Sequence, residues 1–236
     1  MDDIESLPGR RQPGHGGEYR PVPYRFNRIP ADLSVEVAGE LLRKMRLRRS
    51  VRMFSPDPVP LRAVLDAVAV AATAPSGAHQ QPWTFVLVED PEIRGWIRKE
   101  AEREEQVSDE GRLGGEWLSA IRPLGADAVK AHLTDAPCLI VVFRQRHFLD
   151  AAGNTRKHYY VDESVGIATG MLLTALHLSG LAALVHAPSP MKFLGEMLGR
   201  PRNESPFAVI PVGYPAGDCV VPDLARKPLD EVLVRV

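Results

Sequence analysis

The order of elements along the chain predicts an α+β fold with helices on both faces of a sheet, a three-layer α-β-α sandwich. Three observations lead there. Segments of helical apolar period alternate with short strand-like apolar runs. The 236 residues suffice for one sizeable core and leave little room for two. The composition, 44% hydrophobic and 25% charged with a formal net charge of −1, is that of an ordinary globular domain.

Residues 1–33 carry Pro13, Pro21, Pro23 and Pro30 among Gly and Arg without apolar period, and read as an extended or disordered arm ahead of a domain spanning 34–236. Ser34 is a candidate N-cap for a first helix with Ala38, Leu41, Leu42 and Met45 on one face. A second helix from Pro60 aligns Leu61, Val64, Leu65, Val68 and Ala72, and stops near Thr73-Ala74 because Pro75 disfavours helix before it. The β-branched and aromatic run Trp83 to Val88 predicts a strand. Asp90-Pro91 opens a helix through Ile93, Trp96, Ile97 and Ala101 that turns acidic by Glu104-Glu105.

From about 104 to 131, glycines and charges surround isolated apolar anchors such as Trp117 and Leu118, a composition suited to a mobile lid. Cys138 to Phe143 reads as a buried strand, and Ser164 to Leu181 as a central core helix with the face Val165, Ala168, Leu172, Ala175 and Leu176 and small Gly166 and Gly170 for close packing. A strand at 182–186, a helix from Ser189-Pro190 to Gly199 and a strand from Phe207 to Val212 complete the body. The Pro-rich tail, about 214–236, ends in Val232-Leu233-Val234, strand-like residues suited to docking on a sheet edge.

The near-zero charge argues against a nucleic-acid partner. Cys138 and Cys219 make no disulfide framework and fit a reducing compartment. No run approaches the roughly 18 apolar residues of a membrane span, and a cytoplasmic protein is expected. No two histidines have helical metal-ligand spacing, so no metal site is expected; His158 and His177 read as packing or surface residues. The charges of Glu102, Arg103 and Glu104 read as a solvated helix face.

Two segments carry chemistry. Arg48, Arg49 and Arg52 stand beside Ser50, offering guanidinium forks and a hydroxyl to a phosphate, while neighbouring Arg43, Lys44 and Arg46 read as solvated surface. In Ala74-Pro75-Ser76-Gly77-Ala78-His79-Gln80-Gln81-Pro82-Trp83 the small residues leave backbone N–H groups open to a planar ring with polar edges; by composition alone the same run is a plain tight connection.

With Pro58-Val59-Pro60, Pro211-Val212-Gly213-Tyr214-Pro215, Pro222-Asp223-Leu224 and Arg226-Lys227-Pro228-Leu229 in the same order and nearly the same spacings, these segments resemble the nitroreductase superfamily, and within it the iodotyrosine deiodinase branch, from about Tyr24 to the C-terminus. The resemblance implies an intertwined homodimer with FMN at each subunit interface and the tail packed on the partner. It implies that Arg48, Arg49, Ser50, Val51, Arg52 and Arg226 hold the phosphate and polar edge of FMN, that Ser76 and Gly77 line its ring from the other subunit, and that Val185, His186 and Ala187 lie near its N5 edge. It further implies a small aromatic substrate stacked on the flavin, with its zwitterion and phenolate met at Glu105, Asp109, Lys130 and Ala78.

This chain departs from that pattern twice. Asp109 stands where the branch has tyrosine, and Ala187 where it has the threonine whose hydroxyl serves one-electron chemistry; Ser189 or a backbone N–H can substitute for it. Reductive dehalogenation of halogenated tyrosines or phenols is the leading expectation. An NAD(P)H-dependent reductase of nitroaromatics, quinones or activated alkenes is the alternative, followed by a flavin binder without turnover or one that consumes the flavin.

Overall fold

A computed structural model of the chain describes residues 19, 21–109, 122–125, 128–149, 152–187 and 190–236. Helix α1 spans Ala31–Leu47, α2 Leu61–Ala72, α3 Pro91–Asp109, α4 His132–Asp135, α5 Val161–Leu178 and α6 Phe193–Met197. The strands are β1 (Trp83–Val88), β2 (Cys138–Gln145), β3 (His147–Leu149), β4 (Thr155–Lys157), β5 (Ala182–Ala183) and β6 (Glu204–Gly213).

The main sheet has the order β1-β2-β6-β5 with every neighbouring pair antiparallel. Strand β2 lies inside it and is buried from Cys138 to Phe143, as a strand covered on both faces must be. Its side chains alternate. Cys138, Ile140 and Val142 join Ala208, Ile210 and Val212 of β6 under α2 and α5, through Val64, Ala67, Ala71, Val165, Ala168, Leu172 and Leu176. Leu139, Val141, Phe143 and Val209 face Ile97 and Ala101 of α3, Leu133 of α4 and Leu194 of α6. The expected three layers are present.

Two prolines sit in β6 without breaking it. The register slips between Val142 and Phe143, and Pro206 pairs at that irregularity. Pro211 lies two residues from Val209, whose N–H bonds His186 O at 2.8 Å; its missing donor therefore faces the gap between β5 and His186, where the ladder is interrupted.

Several expectations need correction. Helix α1 begins at Ala31, not after Ser34, whose hydroxyl instead donates to Pro30 O at 3.1 Å from inside the first turn. None of its residues is buried, and Leu41 and Leu42 are 45% and 52% exposed. The buried stripe of α2 is Val64, Ala67 and Ala71, while Leu61 and Leu65 face outward. Trp96 also faces outward, although Ile97 and Ala101 are buried. Helix α5 keeps the predicted buried face but starts three residues earlier, after Tyr160 in the left-handed conformation. Among the described residues of one chain, a Cβ at Gly166 or Gly170 would meet open space, so the close packing expected there is not made within the chain's described residues.

The predicted strand 182–186 shortens to two residues plus a bridge from His186 to Val209. The helix expected from Ser189 to Gly199 shortens to five residues; Ser189 lies outside the described residues, and Gly195 inside the segment weakens propagation. Within one chain Val232-Leu233-Val234 pair with no sheet edge among the described residues, which leaves a neighbouring subunit as the expected place for them to dock. The first six residues of the expected lid, 104–109, are the end of α3, and 110–121 with 126–127, including Trp117 and Leu118, lie outside the described residues. Most of the expected N-terminal arm also lies outside them. No described helix is long and apolar enough to cross a membrane, and Cys138 and Cys219 are both free thiols, burial pushing Cys138 up to about 11.

Candidate functional site

At one end of the sheet, where β2 begins and β6 ends, five segments converge on a cleft of about 820 Å³: the loop 50–54, residues 123–125, residues 129–135, residues 184–187 and the start of the tail. Backbone pairing fixes the loop there. Ser50 bridges Ala183, Val51 N–H donates to Ala183 O at 3.3 Å, Ser55 N–H to Tyr214 O at 2.9 Å, and Ala216 N–H to Met53 O at 3.0 Å. Gly213 permits the close approach of Phe54, since a Cβ there would fall 2.9 Å from Phe54 Cδ1 and 2.8 Å from Pro137 Cδ.

Of the predicted phosphate and flavin residues, Ser50, Arg52, Val185, His186 and Ala187 line this cleft. Val51 instead buries its side chain with Phe54 and Ala136, so its contribution is to anchor the loop. Arg49 donates to Pro222 O. Arg226 donates to Arg46 O at 3.0 Å and Arg48 O at 2.6 Å, holding the tail against the last carbonyls of α1, where a helix end favours a cation. Arg48 and Arg52 have no side-chain hydrogen bond or ion pair among the described residues, leaving two guanidinium forks available for an anion.

The predicted pair Glu105 and Lys130 does meet. Lys130 is only 4% exposed, and its ammonium forms an ion pair with Glu105 at the wall of the cleft. Its backbone N–H donates to Glu102 Oε1 at 2.7 Å, and the same oxygen accepts from Arg98 Nε at 2.8 Å. Burial raises the Glu102 carboxyl, but the bonds from Arg98 and Lys130 N–H outweigh it and hold the group below the usual carboxylate range. Glu102 is therefore no solvated helix residue, and that expectation is corrected. Asp109 closes α3; its side chain lies outside the described residues.

Below Lys130, His186 and His132 contact edge to face, with ring centroids 5.1 Å apart. His186 Nε2 is buried without a hydrogen-bond partner among the described residues. Burial, followed by the positive fields of His132, Lys130 and Arg52, pushes its imidazole down to about 3, so it is neutral at physiological pH. His132 was not anticipated: a lone histidine after Lys130 carries no spacing signal, and only the fold brings it to His186.

Ser76, Gly77 and Ala78 are elsewhere. They precede Trp83, which pairs with Arg144 near the far end of β2, whereas the cleft lies where Cys138 pairs with Val212. Cys138 and Arg144 lie six residues apart on β2, which separates these two strand positions by roughly 20 Å. The distant loop is tightly specified. Gly77 N–H donates to Ser164 Oγ at 3.2 Å, and a Cβ on Gly77 would lie 2.5 Å from Tyr159 O. Ser76 Oγ accepts from Gln81 N–H at 2.9 Å. Ala78, His79, Gln81 and the facing Tyr160 have φ of 50°, 54°, 49° and 51°, left-handed values uncommon for residues with a Cβ.

The cleft combines the Arg52 guanidinium, a hydroxyl and an apolar wall of Phe54, Leu184, Val185 and Val221, while Arg48 lines a neighbouring groove that shares Ala216 and Val221 with it. That chemistry fits a flat heteroaromatic group carrying a phosphate, and no cluster of metal-ligating side chains occurs among the described residues.

Comparison with known proteins places this arrangement. The model of the nitroreductase family matches residues 45–214. An iodotyrosine deiodinase of Haliscomenobacter hydrossis is 49% identical over 213 residues, covering 90% of this chain and 96% of that protein. Human iodotyrosine deiodinase 1 is 40% identical over 218 residues, covering 91% of this chain and 75% of the human one. Among solved structures, oxidized iodotyrosine deiodinase bound to FMN and 3-iodo-L-tyrosine superposes with a TM-score of 0.70 at 32% identity, covering 83% of this chain and 97% of that one.

Proposed function

The chain belongs to the nitroreductase family, and from that premise we propose that it is an FMN-dependent oxidoreductase that reductively dehalogenates halogenated tyrosines or phenols. The observation that carries the substrate class is the buried ion pair of Glu105 and Lys130 at the wall of a cleft that also holds the Arg52 guanidinium. A solved relative at 32% identity holds FMN and 3-iodo-L-tyrosine together.

Arg52 and Ser50, with Arg48 from the neighbouring groove, would hold the phosphate, and Val185 to Ala187 would supply backbone at the ring edge. Glu105 and Lys130 are complementary to an amino-acid zwitterion: its ammonium replaces Lys130 beside Glu105 and its carboxylate replaces Glu105 beside Lys130, so neither buried charge loses a partner. Bound reduced FMN supplies two electrons, which with one proton convert the carbon–halogen bond to carbon–hydrogen and free halide. The chain's own work is to hold the ring in register and exclude water.

Ser76, Gly77 and Ala78 take part only if a second copy supplies them, because one chain keeps them at the far end of β2. A homodimer meets that requirement. The exposed Leu41 and Leu42, and the open face at Gly166 and Gly170, support such an interface.

The test is titration of FMN-loaded protein with 3-iodotyrosine, followed by halide release under reducing conditions. Quenching of flavin fluorescence with stoichiometric halide is expected; the absence of both quenching and halide release would overturn the reading. Ala187, at the cleft without a hydroxyl, supports a second reading, reduction of nitroaromatics or quinones with NAD(P)H, which steady-state turnover with that donor would favour.

A further inference from the structure

Helix α3 carries four charged residues along one face, Arg94, Arg98, Glu102 and Glu105, spaced by four, four and three. Each engages the stretch 130–136. Arg94 Nη1 donates to Thr134 O at 2.7 Å and to Ala136 O. Arg98 Nη1 donates to Thr134 Oγ1 at 2.8 Å, while its Nε donates to Glu102 at 2.8 Å. Glu102 accepts from Lys130 N–H at 2.7 Å, and Glu105 pairs with the Lys130 ammonium. The stripe fixes a segment with little regular structure of its own beyond the four residues of α4.

We propose that Glu102 is a positioning residue of the substrate site, holding the Lys130 backbone in place while Glu105 makes the bond that a zwitterion exchanges. The inference rests on the zwitterion reading above. The two glutamates, three residues apart, divide the task. Glu105 reaches only the end of a flexible side chain, and its bond is of the kind an external carboxylate can replace. Glu102 bonds the main chain, which no ligand competes for, and Arg98 holds its carboxylate from the other side. When a ligand carboxylate displaces Glu105, the root of the Lys130 side chain stays fixed, and the lysine is not reordered at the cost of binding.

The experiment uses FMN-loaded protein and two probes, 3-iodotyrosine and 2-iodophenol, the second lacking the zwitterion. Glu102→Ala should weaken 3-iodotyrosine binding about 10-fold, the effect of one charged hydrogen bond, and leave 2-iodophenol unchanged. Glu102→Gln, which keeps an acceptor for Lys130 N–H, should recover most of the loss, while Glu102→Asp, one methylene short, should not. Hydrogen exchange at the Lys130 amide of the ligand-free protein should accelerate in the Ala and Asp variants and remain slow in the Gln variant. If Glu102→Ala does not fold, Asp against Gln carries the same comparison.

An equal loss for both probes would mean a general structural role and overturn the inference. So would unchanged 3-iodotyrosine affinity in the Ala or Asp variant when Lys130→Ala weakens it. If Lys130→Ala itself has no effect on 3-iodotyrosine, the zwitterion reading fails and the substrate role of Glu102 falls with it. The amide exchange still reports whether the backbone hold exists, which separates the two failures.

Discussion

The two ends of β2 are built by different means. At the Cys138 end the chemistry resides in side chains: Arg52, Lys130 with Glu105, and the histidine pair, gathered from four segments by short backbone bridges. At the Arg144 end it resides in the main chain, with Gly77 pressed against Tyr159 and three nearby residues of the loop turned left-handed. Side-chain chemistry tolerates a mobile frame because long cationic groups can reach. Presentation of backbone N–H groups does not, and it requires the tighter construction. On the proposed reading, each end supplies one half of a site that two chains complete together.

The sharpest way to break this contrast is complementation. Gly77→Val forces at least one carbon to within 2.5 Å of Tyr159 O, and overpacking of that kind costs about 1–3 kcal/mol. FMN retention should fall about 5- to 150-fold, and Arg52→Ala should reduce it through the opposite end. Refolding the two variants together should restore one intact site per mixed dimer, read as recovered flavin and halide release. No recovery would mean that each chain builds its site unaided.

Lys130→Ala should lower affinity for halotyrosines about 10- to 100-fold, the range for a charged hydrogen bond, while FMN affinity changes little. An equal loss of FMN would place Lys130 in the flavin site and undo the division of roles at the cleft end. A further effect concerns acid. Because the His186 imidazole is pushed from its ordinary 6.5 down to about 3, the unfolded chain binds the proton more readily; its contribution therefore favours folding above pH 6.5 and is lost as pH falls toward 3. The loss is at most about 1.4 kcal/mol per pH unit. His186→Phe should flatten this part of a urea-denaturation profile relative to the parent protein, and identical profiles would show that the ring does not stay neutral.

Where burial follows from local pattern, the sequence was informative. β1 appears at its predicted bounds, and the buried face of α5 was read from Val165, Ala168, Leu172 and Leu176. The same reasoning misled for Leu61 and Leu65, because periodicity identifies an apolar face without saying whether the same chain covers it. Glu102 was misassigned for a related reason: a glutamate four residues after an arginine has the same spacing on a solvated helix and on one that grips a neighbour. The hairpin of β3 and β4 had no apolar alternation to announce it, β4 being exposed throughout. Arg52 was legible in the cluster of arginines beside Ser50 and Glu105 and Lys130 through resemblance, but the separation of Ser76 to Ala78 from them emerges only from the strand register.

The left-handed residues around Gly77 have a consequence for how this protein can change. Ala78, His79, Gln81 and Tyr160 each hold a conformation that costs a residue with a Cβ about 1–2 kcal/mol. A lineage selected for thermal endurance alone would drift toward glycine or asparagine there. The loop is thus where a stabilising substitution is easiest to find and, because it would relax the fixed shape, most apt to diminish activity.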